Sequence, residues 1–82
     1  NKMNNNNQME AILTILLPEV IKEIMKNENI TEDEATISFY ESSLYSTLED
    51  EESDLWHLSP KMLYELYRQE KHIGTIYYPR EQ

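Results

Sequence analysis

Five carboxylates fall within the six positions Glu49-Asp50-Glu51-Glu52-Ser53-Asp54. Acids this dense could hold calcium or work as an acid–base pair on a glycosidic bond. An EF-hand loop counted from Asp50 needs glycine at its sixth place and glutamate at its twelfth; the chain has Leu55 and Lys61 there. Glycoside hydrolysis needs two carboxylates in different environments inside a cleft. A run of like charges repels itself and reads instead as a solvated turn. His57 and His72 do not form a helical i, i+4 pair, so they make a poor transition-metal site. His57 reads as a packed residue bonded to the turn, and His72 as a partner of a helix dipole. Ser42 and Ser43 lack a His or Lys at a recognisable catalytic spacing. There is no Cys to give a thiolate, and one Gly cannot build a glycine-rich phosphate loop. The residues therefore predict no catalysis, no metal and no cofactor.

The elements that position these residues are helical. The 82 residues allow one small domain, which buries only about 60–65% of its unfolded surface. Residues 1–7, with their Asn run, offer no apolar face and predict a disordered lead-in; residues 8–82 then form a single helical domain. From Gln8 apolar residues recur at i, i+3, i+4 and i+7, with Pro18 predicting a kink or a restart and 27–29 a stop. Thr31-Glu32-Asp33-Glu34 is a capping box, with Ile30 before it as a staple. A second helix over 32–41 is expected to bury Ala35, Ile37, Phe39 and Tyr40. Leu44, Tyr45 and Leu48 suggest a short third. Trp56 and Leu58 return the chain to the core. Ser59-Pro60 starts a last helix over 61–72, expected to bury Met62, Leu63, Leu66, Tyr67 and Ile73. Gly74 suits a left-handed C′ position, and 75–79 reads as an extended tail along the bundle. The fold class expected is all-α, a bundle of about four helices.

Charge is concentrated in one part of the chain. The net charge is -9, and residues 31–58 hold nine acids with no Lys or Arg. The flanking thirds nearly balance. Such acidity argues against direct contact with nucleic acid or an anionic membrane. No run is long and apolar enough for a membrane span, no secretory leader is legible, and the absence of Cys fits a reducing cytoplasm. An acidic surface either keeps a small domain soluble or docks a basic protein, steering the encounter.

Two further surfaces suggest contact. Six Tyr, one Phe and one Trp are many for this length, and Tyr64, Tyr77 and Tyr78 are expected as exposed anchors for a protein partner. On the first helix, apolar residues cover well over half the circumference, more than three shorter helices cover easily. Ile12, Ile15 and Ile21 are therefore expected to line a homodimer contact or an apolar groove.

The stretch Leu44-Tyr45-x-x-Leu48-Glu49-Asp50-Glu51-Glu52, then Leu55-Trp56-His57-Leu58-Ser59-Pro60, Leu63-Tyr64-Glu65-Leu66-Tyr67 and Gly74-x-Ile76-x-Tyr78-Pro79 resembles a group of short uncharacterised acidic proteins of Firmicutes and their mobile elements. It covers about half of the chain. The resemblance implies a genomic setting beside toxin or defence genes, and no functional residue. Together these readings lead to an acidic protein-binding module, an antitoxin-like neutralising partner of a basic protein. Glu49, Asp50, Glu51, Glu52 and Asp54 would be its contact residues. The alternatives are a phage-type inhibitor that imitates DNA, and a structural or regulatory subunit.

Overall fold

The structure is a computed structural model that describes residues 2–73, with side chains from residue 8 onward. Four α-helices follow one another: α1 Lys2–Glu28, α2 Glu32–Tyr40, α3 Ser43–Leu48 and α4 Pro60–Ile73. Two 3-10 turns, Glu51–Ser53 and Leu55–His57, join α3 to α4. Among the described residues there is no strand, so the fold is the all-α bundle that the periodicity implies. Gly74 and the expected C-terminal tail lie outside the described residues.

Helix α1 begins at Lys2, earlier than Gln8. The Asn run, expected as a disordered lead-in, here continues the helix, since each added residue gains one backbone bond once a helix is nucleated. The helix also runs through Pro18 without the expected restart. Pro18 is exposed, as is Thr14, so water can reach the Thr14 carbonyl that the missing N–H leaves without its usual donor. At the other end Asn29 takes a left-handed backbone, φ 57°, which Asn tolerates better than most residues. Its N–H donates to the Met25 carbonyl at 2.8 Å and closes the helix.

Helix α2 starts as the capping box requires. The Thr31 hydroxyl accepts from the Glu34 N–H at 3.1 Å, and the Glu34 carboxylate accepts from the Thr31 N–H at 3.0 Å. Such a cap contributes about 1 kcal/mol. Ala35 and Phe39, one turn apart, are fully buried. Ile37 and Tyr40, also expected inside, are 58% and 46% exposed. The reason is geometric: Ile37 sits about 200° around the helix from Ala35, and a nine-residue helix turns only one stripe inward.

The core is a single cluster. Leu13, Leu16, Val20, Ile21 and Ile24 of α1 meet Ala35 and Phe39, Leu44 and Leu48 of α3, Leu55 and Trp56, and four residues of α4. Those four are Leu63, Tyr64, Leu66 and Tyr67. Met62 and Ile73 of α4, expected to be buried, are exposed instead. Met62 is about 100° from Leu63 around the helix and faces water. Ile73 is the last residue of α4, past the end of its inward stripe.

Helix α4 bonds to each of the other three helices. The Tyr64 hydroxyl donates to Glu28 of α1 at 3.3 Å. The hydroxyls of Tyr67 and Ser38 of α2 are hydrogen-bonded, and Lys71 donates to the same Ser38 oxygen at 3.1 Å. The Glu70 carboxylate accepts from the N–H groups of Ser43 and Leu44 at 2.8 and 3.1 Å. With Ser42, whose hydroxyl accepts from Tyr45 at 3.1 Å, it satisfies the open donors at the start of α3.

Candidate functional site: an acidic face and its aromatic pocket

The acidic segment folds into an ordered corner. Asp50 accepts from the Glu52 N–H at 3.1 Å and opens the first 3-10 turn. Asp54 ends it with φ 62°, a left-handed geometry that a short polar side chain tolerates. The indole N–H of Trp56 then donates to the Glu51 carbonyl at 3.1 Å. Trp56 is 7% exposed, so its ring anchors the corner in the core. His57 stacks on Trp56 with centroids 4.0 Å apart and lies 3.9 Å from Asp54.

The charges themselves stay in solvent. Glu49, Asp50, Glu52 and Asp54 are exposed and Glu51 is half-buried. Glu32, Asp33, Glu34 and Glu41, the other acids of residues 31–58, are exposed as well. Among the described residues no Lys or Arg forms an ion pair with any of these nine. Lys22, Lys26 and Arg68 pair instead with Glu19, Glu23 and Glu65, each three residues away on its own helix. Their charge is thus engaged locally, and among the described residues none of the nine carboxylates has a Lys or Arg partner.

Several expected contact residues are placed differently. Tyr64 is not an exposed anchor: it is 6% exposed and packs beside Tyr67. Its i, i+3 spacing from the fully buried Tyr67 puts it on the buried stripe of α4. Burial, and then the nearby Glu28 carboxylate, raise its pKa. Tyr77 and Tyr78 lie outside the described residues. Ile21 is buried under α2 at 7% exposure, whereas Ile15 is 72% exposed. Ile12 is half-buried. The three isoleucines therefore do not share one open surface: Ile21, about 180° around α1 from Ile12, lies beside Thr36 and Tyr40 of α2. Ile12 and Ile15 instead border a shallow hollow of about 390 Å³ with Leu16, Trp56, Leu58 and Pro60.

A second pair of aromatics is better placed. Tyr40, at the end of α2, stacks on Tyr45 of α3 with centroids 4.5 Å apart and planes 8° off parallel. Both line a pocket of about 450 Å³ against α1. Leu13 and Leu17 give it apolar wall, Thr14 and Pro18 a stretch of helix backbone, and Glu10 and Glu49 two carboxylates. Tyr45 is hydrogen-bonded to Glu49; burial first, then that bond and the carboxylate's charge, push its pKa up to about 12. The pair is missed by apolar periodicity, which assigns Tyr40 to the core. The signal available in the sequence is Ser42, the helix break that brings Tyr40 and Tyr45 to the same side.

Among the described residues no group of three His, Asp or Glu side chains comes together in a way that could hold a metal ion. No described helix is long and apolar enough to cross a membrane. Comparisons with protein-family models, with curated proteins and with solved structures find no match to this chain.

Proposed function

We propose that the chain is a binding protein and not an enzyme, an acidic module that docks on and neutralises a basic protein in the cytoplasm, as an antitoxin does its toxin. One observation carries this reading: nine acids in residues 31–58 lie exposed or half-buried, and no described Lys or Arg pairs with them. A surface of one sign accelerates encounter with the opposite sign and excludes wrong partners. It costs self-repulsion in the free protein, and a bound cationic surface relieves that cost.

The test starts from capture of the partner in native cells, followed by titration with the purified partner. Affinity is expected to fall about tenfold or more between roughly 50 and 300 mM salt. Replacing Glu49, Glu51, Glu52 and Asp54 by their amides should reproduce most of that loss at low salt. An affinity indifferent to both overturns the proposal and assigns the acidity to solubility alone.

A further inference from the structure

The pocket beside the Tyr40–Tyr45 stack has the chemistry of a receptor for one particular cation. Two carboxylates, Glu10 and Glu49, line it, and no Lys or Arg does. Neither forms an ion pair with a described Lys or Arg. The stacked Tyr40 and Tyr45 rings give the pocket an aromatic side, and Tyr40 keeps 46% of its surface open. The backbone adds an acceptor. Pro18 has no N–H, so the Thr14 carbonyl lacks the donor that residue i+4 supplies elsewhere in a helix. Both residues line the pocket. Leu13 and Leu17 complete it with apolar surface.

We propose that this pocket receives the guanidinium of an arginine presented by the partner protein, with the planar cation against the Tyr40–Tyr45 stack and its N–H groups turned to Glu10, Glu49 and the Thr14 carbonyl. Arginine fits better than lysine for three reasons. Its cation is flat and stacks on aromatic faces. Its five donors can serve several acceptors at once, where an ammonium acts as a point charge. Its methylene stem can lie along Leu13 and Leu17. The proposal rests on the partner being basic and adds where on the acidic face one contact is specific.

The probe is the blocked tripeptide acetyl-Gly-Arg-Gly-amide, titrated into the full chain and followed by amide chemical shifts. Saturable shifts are expected around Thr14, Tyr40 and Glu49. The lysine peptide should bind about threefold or more weaker, and the uncharged citrulline peptide should give no saturable shift. The Glu10→Gln/Glu49→Gln variant should lose about fivefold or more in affinity for the arginine peptide. A Glu19→Gln/Glu23→Gln variant, which removes the same charge on α1 away from the pocket and from the acidic segment, should bind as the parent does. Tyr40→Leu keeps bulk and charge and removes the ring; it should weaken binding also if the Glu10/Glu49 variant fails to fold. Shifts that do not saturate, equal losses in the two paired variants, or equal binding of the lysine peptide overturn the assignment. The two proposals fail separately. Steep salt dependence toward the captured partner, with equal effects of the paired variants, removes the pocket and leaves the acidic module. A saturable arginine site with a salt-indifferent partner does the reverse.

Discussion

Trp56 joins an acidic surface to an apolar interior through one side chain. Its ring is buried and its N–H holds the Glu51 carbonyl, so the corner cannot move without exposing the indole. Trp56→Ala is expected to cost about 3–5 kcal/mol, a large share of the stability of so small a domain. The parent should show blue-shifted Trp emission; water-like emission in the native state contradicts this. Tyr45 makes a pH-dependent contribution. Its folded pKa, about 12, lies above the ordinary value of 10.0, so the neutral phenol is the form that the fold favours. The stabilisation is fully present below pH 10 and is lost as pH rises toward 12. The melting temperature should fall across that window, and Tyr45→Phe should flatten the fall. Titration by tyrosinate absorbance should show one phenol ionising last and disappearing in that variant.

Helix α3 is the least self-sufficient element. Six residues cannot hold a helix alone in water, and its first N–H groups are satisfied by Ser42 and by Glu70 from α4. Glu70→Ala should therefore destabilise the protein by about 1–2 kcal/mol in urea unfolding. Glu70→Gln, which keeps an acceptor oxygen, should recover part of it. The local devices were legible in the sequence: the Thr31 box, the Ser59 start and the stop at 27–29 are short-range chemistry. The Glu70 cap was not, because no local pattern says which distant carboxylate reaches an open helix end. The same limit explains the site. Acid density at 49–54 is visible in a string of letters, while the exposure of Ile37 and Tyr40 and the burial of Tyr64 depend on which neighbours cover each stripe. Apolar spacing on α1 showed that its stripe was wide; it could not show that α2 would cover Ile21 and leave Ile15 open.

At the scale of the whole molecule the acidic face sets a conflict between stability and binding. Nine acids without a described Lys or Arg partner repel one another, and salt screens that repulsion over about 8–10 Å. The melting temperature of the free protein should rise with added salt, while partner affinity falls. The amide variant at Glu49, Glu51, Glu52 and Asp54 should be at least as stable as the parent and bind worse, the usual sign of charge kept for function. The outer face of α1 makes a separate statement. Of Ile12, Ile15 and Ile21 only Ile15 is widely exposed, far short of the roughly 800 Å² per partner that a stable dimer buries. Sedimentation at micromolar concentration is expected to give a monomer, unchanged by Ile15→Lys. A dimer that this variant dissociates would restore the apolar contact first expected there.

The Glu70 cap has a further consequence for how the protein is made. A chain leaves the ribosome from its N-terminus at about 5–20 residues per second. The α1–α2 hairpin can close before α3 and α4 emerge, since its contacts lie within residues 2–40. Helix α3 must wait until Glu70 has emerged, and the acidic corner cannot settle before the core that receives Trp56 exists. The acidic segment therefore takes its final shape only after α4 has emerged, and a nascent chain stalled before α4 would present the same charges on an unfolded segment open to proteases.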